Sequence, residues 1–95
     1  MQKLLDSPQL KNICKESGIS YLGLFGSHAR GDQNLESDVD LLVKFDTPIG
    51  YFKLVQTQRK LGDYLGHTVD LVTEGSISPR IYPYVQQDLK TIYDS

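Results

Sequence analysis

Leu24-Phe25-Gly26-Ser27-His28-Ala29-Arg30-Gly31-Asp32-Gln33-Asn34-Leu35-Glu36-Ser37-Asp38-Val39-Asp40-Leu41-Leu42-Val43-Lys44 is the stretch on which the fold turns. Its left end closes an apolar run from about Ser20 to Phe25, and its right end opens a second run from about Asp38 to Phe45, rich in Val, Leu and Phe. Both read as strands. Between them Gly26-Ser27 makes a turn directly after the first strand. A phosphate chain needs backbone N–H groups at close range, and Gly26 has no side chain to hold it away. A helix starting just after Ser27 would point its positive end at an anion, and the Ser27 hydroxyl can donate to a phosphate oxygen. On the second strand Asp38 and Asp40 are two residues apart and share a face. Carboxylates that close repel unless a cation joins them, and oxygen ligands of this kind suit Mg²⁺, which combines one or two carboxylates with substrate phosphates.

A third carboxylate stands in Thr68-Val69-Asp70-Leu71-Val72, centred in an apolar run. A charge inside such a run needs a partner or a purpose. Should this strand lie beside that of Asp38 and Asp40, all three carboxylates can converge. That suffices for a two-metal site, with ions roughly 3.5–4 Å apart. The bland alternative is an edge-exposed or ion-paired residue. Arg30 admits two roles, a phosphate contact or a pairing with Asp32 or a motif aspartate that holds the loop. Asp32 reads as structural, His28 as a solvent-facing helix residue, and Cys14 as a small helix residue facing the core.

Working outward, Ser7-Pro8 supplies an N-cap and a first-turn proline for a helix carrying Leu10, Ile13 and Cys14, stopped at Gly18. Thr47-Pro48 repeats that signal for a helix running to about Leu65 and ending at Gly66, with Tyr51, Leu54, Leu61 and Leu65 on one face and Gln58 interrupting it. A short third strand covers His67 to Thr73. Ser78-Pro79 begins another helical region that Pro83 breaks or restarts, and Val85, Leu89 and Ile92 form a final helical stripe. The order helix, strand, strand, helix, strand, helix predicts an α/β (α+β) fold, a small mixed sheet flanked by helices, with residues 1–95 forming one domain.

Composition fits that reading. Of 95 residues, 39% are hydrophobic and 23% charged, with a net charge of −2, so the chain is no disordered tail and lacks the basic excess that polyanion binding requires. Nucleic acid is therefore not expected as a direct substrate. One cysteine allows no internal disulfide, which suits a reducing cytoplasm. The segment Met1 to Leu10 is too polar for a signal peptide, and no run approaches the ~20 apolar residues that span a bilayer.

Taken together, Gly26-Ser27-x-Ala29-Arg30-Gly31 followed by Ser37-Asp38-x-Asp40, with the distant Asp70, resembles the DNA polymerase β-like nucleotidyltransferase superfamily. It is most similar there to the minimal nucleotidyltransferases, the MNT-domain proteins, several of which are the antitoxin halves of HEPN–MNT toxin–antitoxin pairs. The resemblance covers essentially the whole chain. It implies the nucleotidyltransferase fold, with the Asp70 strand beside the Asp38/Asp40 strand. It implies Gly26 and Ser27 as the triphosphate-binding pair, Asp38 and Asp40 as metal ligands, and Asp70 as the third metal ligand and proton acceptor. Two Mg²⁺ ions, ATP as substrate, and a HEPN toxin as partner follow from it. The activity it implies is transfer of AMP to a protein hydroxyl, a tyrosine of the toxin. The alternative is a non-catalytic module that inhibits the toxin by complex formation. Transfer to a small molecule such as an aminoglycoside is disfavoured, since no acceptor-binding domain is expected in a chain this short. A partner or a second copy could complete the cleft, with the six tyrosines, among them Tyr82, Tyr84 and Tyr93, at such an interface or as half-buried fillers.

Overall fold

Val39, Leu41 and Val43 alternate with Asp40, Leu42 and Lys44. In the computed structural model, which describes residues 2–34 and 37–95, they form strand β2 (Val39–Phe45). Met1, Leu35 and Glu36 lie outside the described residues. The first set enters the main core with Leu22 and Leu24 of β1 (Ile19–Phe25) and Val69 and Leu71 of β3 (Val69–Thr73). Alternation turns Asp40 to the other face of the sheet.

The first turn of chain forms helix α1 (Gln2–Leu5), and α2 (Pro8–Glu16) follows as its sequence requires. Ser7 caps it, its Oγ accepting from the Leu10 N–H at 3.3 Å, and Gly18 turns the chain out at φ 73°. Leu10 and Cys14 are buried against the sheet. After β1 comes a single helical turn, α3 (Ser27–Arg30), then β2 and the long helix α4 (Tyr51–Leu65). Strands β1 and β2 are antiparallel, while β2 and β3 are parallel. Parallel neighbours need a crossover, and α4 provides it. Leu61 and Leu65 seat α4 on the core. Gln58, half-buried on the same helix, accepts the Leu71 N–H of β3 on its Oε1 at 2.9 Å.

The mixed sheet flanked by helices is the expected α/β architecture. Three details differ from the sequence reading. Helix α4 starts at Tyr51, with Gly50 as its cap, rather than at Thr47-Pro48. Tyr51 is 74% exposed, so the apolar face narrows to the helix's later turns. The largest correction is at the end of the chain. Helix α5 (Tyr82–Asp88) takes Pro83 into its first turn and stops at Asp88; Leu89 is extended, and Lys90–Asp94 forms strand β4 against β1. The strand order is β3-β2-β1-β4. Val85, Leu89 and Ile92 mimic helical spacing. Thr91, Ile92 and Tyr93 are β-formers, however, and without β4 the outer edge of β1 would leave its backbone groups unpaired. Among the described residues no helix is long and apolar enough to cross a membrane.

Candidate active site

Register builds the site. Asp40 on β2 faces Asp70 on β3 residue for residue, and Phe25 of β1 pairs with Asp40 from the other side. Paired residues of neighbouring strands point to the same face, so the two carboxylates stand side by side on the face opposite the main core. Asp38 precedes β2 by one residue and is exposed. The Val39 N–H donates to the Thr68 carbonyl at 2.9 Å, which fixes the approach of Asp38 beside β3. The expected neighbouring of the Asp70 strand and the Asp38/Asp40 strand is therefore present.

Gly26 lies under this group. Its φ is 79°, in the left-handed region that favours glycine. A Cβ at Gly26 would overlap the Asp40 Oδ2 and stand 3.2 Å from its Cγ. The turn backbone and the Asp40 carboxylate thus pack directly against each other. From Gly26 the chain enters α3: the Ala29 and Arg30 N–H groups both donate to the Gly26 carbonyl at 3.1 Å. The N–H groups of Ser27 and His28 open the helix, where no intrahelical acceptor exists for them. Gly31, at φ 82°, ends the turn.

The electrostatics follow from the packing. Burial holds the Asp40 carboxyl above the usual carboxylate range, and the negative charges of Asp70 and Asp38 push it the same way, against weaker opposing contributions from His28 and Arg30. As the side chains stand, no group of three or more His, Cys, Asp or Glu among the described residues is gathered closely enough to hold a metal ion. The paired, oxygen-only donors Asp40 and Asp70 nevertheless fit a hard divalent cation, which would relieve the repulsion between them.

Arg30 makes the pairing with Asp32 that one of its two expected roles allows, and a second one that the sequence did not suggest. Its Nε bonds the Asp32 Oδ2 at 3.1 Å and its Nη1 the Asp88 Oδ2 at 2.6 Å, tying the turn to the end of α5 rather than to a motif aspartate. Asp32 is structural in the same pairing. His28 departs from expectation. It is half-buried, its Nε2 is 3.3 Å from the Ser37 carbonyl oxygen, and its ring meets His67 edge-on at 5.7 Å. Nothing in the sequence around His28 signals this, because the contacts come from segments nine or more residues away.

The nucleotidyltransferase domain model matches residues 7–92. The chain belongs to that family. Among curated relatives, a Methanocaldococcus jannaschii protein assigned as a protein adenylyltransferase is 38% identical over 81 residues, covering 83% of each chain. The protein adenylyltransferase MntA of Thermococcus cleftensis is 33% identical over 79 residues, covering 83% of this chain and 80% of its own. A chain in the solved structure of a tri-AMPylated Shewanella oneidensis HEPN toxin in complex with MNT antitoxin matches with a TM-score of 0.73. That match covers 100% of this chain and 74% of that one at 22% identity, which shows a shared fold. The matched residues 7–92 include the Gly26-Ser27 turn and the three aspartates Asp38, Asp40 and Asp70.

Proposed function

We propose that this nucleotidyltransferase transfers AMP from ATP to a tyrosine hydroxyl of a partner HEPN toxin and silences it as its antitoxin. The observation that carries the reading is the packing of the Gly26 turn directly under Asp40, with Asp70 in register beside it. One turn and two adjacent strands bring a triphosphate cradle and the acids together. The adenylyltransferase relatives, and the AMPylated toxin in the structure that shares the fold, support the choice of nucleotide and acceptor. In this reading residues 1–95 act as one domain in the cytoplasm, in complex with the toxin or as a homo-oligomer.

Gly26 and Ser27 receive the triphosphate through backbone N–H groups and the Ser27 hydroxyl. Asp38, Asp40 and Asp70 would hold Mg²⁺, two ions in the full site, and the metal supplies charge neutralisation and Lewis-acid polarisation of the phosphates when bound. Asp70 is exposed and on the outermost strand, where an incoming hydroxyl can reach it, and it is assigned as the proton acceptor. A phenol has a pKa of about 10 and needs a base. Asp70 takes its proton as the oxygen bonds to the α-phosphorus and the bond to the β-phosphate oxygen breaks, releasing pyrophosphate. Arg30, now paired with Asp32 and Asp88, is assigned to the nucleotide site as a residue whose exposed guanidinium can turn to a phosphate oxygen. The added AMP carries negative charge and bulk to the toxin's surface.

The test is intact-mass measurement of the partner toxin after incubation with the protein, ATP and Mg²⁺. A gain of one or more AMP units, absent with Asp38→Asn, is expected. An unmodified toxin inhibited in a tight complex would support the binding-module alternative instead.

A further inference from the structure

His28 is the one side chain of α3 that reaches across the site's foundations. Its Nε2 is 3.3 Å from the Ser37 carbonyl oxygen, and a carbonyl only accepts, so Nε2 carries the hydrogen. Ser37 immediately precedes Asp38. The ring also meets His67 edge-on, with centroids 5.7 Å apart. His67 leads into Thr68, whose carbonyl accepts the Val39 N–H at 2.9 Å. The two contacts of His28 therefore flank Asp38 on both sides, one through its preceding residue and one through the strand beside it. At its own end, His28 follows Ser27 and precedes the buried Ala29 that anchors α3.

The remaining atom argues against a mere filler. Nδ1 is buried and has no hydrogen-bond partner among the described residues. A polar atom in that state is destabilising, and an apolar side chain of similar volume would avoid the penalty. What histidine adds over such a residue is the Nε2–H bond to Ser37. We infer that His28 is a positioning residue that fixes the Gly26-Ser27 turn relative to Asp38. This rests on the reading of the site given above.

The experiment compares wild type with His28→Leu, which fills the space without a donor, and His28→Gln, whose amide can still donate to the Ser37 carbonyl. Three quantities are measured on the full chain: melting temperature, hydrogen exchange over 26–31 and 37–40, and KM and kcat for ATP-dependent modification of the partner toxin. His28→Leu should melt no lower than wild type, exchange faster in both segments, and show a KM for ATP raised about 3- to 10-fold with a smaller change in kcat, the scale of one lost hydrogen bond. His28→Gln should restore both exchange and KM. Unchanged exchange in His28→Leu would overturn the inference. So would faster exchange accompanied by a matching fall in melting temperature that His28→Gln does not restore, since that describes a packing role. If wild type modifies no toxin, the transfer reading fails by itself, and the exchange measurements still decide the role of His28.

Discussion

Asp70 stands opposite Asp40 in the parallel register of β3 and β2, with the Gly26 turn packed against the Asp40 carboxylate. Neighbouring strands are about 4.8 Å apart, so the second acid lies within one strand spacing of the first. The arrangement places like charges where burial already disfavours ionisation of Asp40. A fold does not gain from such an arrangement unless a cation comes to it.

Asp40→Asn should therefore stabilise the metal-free protein. The folded state holds the Asp40 proton more tightly than the unfolded chain does, because the folded pKa is raised from 3.8. That group's contribution to stability is then greatest at low pH and is lost as pH rises through the folded value. The melting temperature of Asp40→Asn should match wild type near pH 4 and exceed it above that window. Thermal melts in EDTA from about pH 4 to about pH 8 check this. A variant that melts lower at neutral pH would make Asp40 a structural acid.

Asp38→Asn combined with Asp40→Asn should abolish transfer while leaving the fold intact. The loss expected is at least about 100-fold, the scale for deleting one electrostatic group from a catalytic site. Toxin labelling with radioactive ATP and circular dichroism on the same samples separate the two readouts. Full activity in the double variant would remove these residues from the chemistry.

Gly26 and Gly31 both have positive φ, 79° and 82°, but their surroundings differ. A Cβ at Gly31 meets nothing within 4 Å among the described residues, whereas one at Gly26 collides with Asp40. Gly31→Ala should incur only the left-handed penalty of about 1–2 kcal/mol. Gly26, at ψ −156° rather than the 13° of Gly31, is in a backbone region that is essentially glycine's alone, so Gly26→Ala should incur a larger backbone cost and the collision, melt lower still and bind ATP more weakly. Each kcal/mol corresponds to roughly 4–8 °C in a domain of this size. Equal melting temperatures for the two variants would show that the turn relaxes around the new side chain and that neither its backbone nor Asp40 demands glycine at position 26.

Cys14 should be inert in the folded protein. It is fully buried, and burial pushes its thiol up to about 11, so the reactive thiolate is scarce at neutral pH. A thiol reagent at pH 8 should label it only after denaturant is added. Rapid labelling of the native protein would place Cys14 at an opening not described above.

The chemistry was more legible in the sequence than the edges of the fold. Gly26, Asp38, Asp40 and Asp70 could be singled out because each breaks a local rule, a glycine at a strand end or an acid in an apolar run. The residue-for-residue pairing of Asp40 with Asp70 was not legible, because the sequence does not set the register of β2 against β3. Ser7-Pro8 and Gly66 marked helix ends because caps are local. His28 was illegible because its partners, Ser37 and His67, are brought to it by tertiary packing. The segment Lys90–Asp94 was misread because three apolar residues at helical spacing carry no information about the unpaired edge of β1 that recruits them. Of the partners Arg30 takes, Asp32 was legible because it is two residues away, and Asp88 was not because 58 residues separate it from Arg30.

Gln58 looked like a flaw in the apolar stripe of α4, and the bond it makes gives it a protective use. Strand β3 is at the end of the sheet, and its outward N–H groups are a template on which another chain could add a strand. Gln58 occupies one of them, that of Leu71. Gln58→Leu would complete the stripe and uncover the template, so the variant should scatter light and sediment as larger species at concentrations where the native chain stays dispersed. A residue that weakens amphipathicity on one helix thus covers a strand-pairing group on the edge strand that bears Asp70.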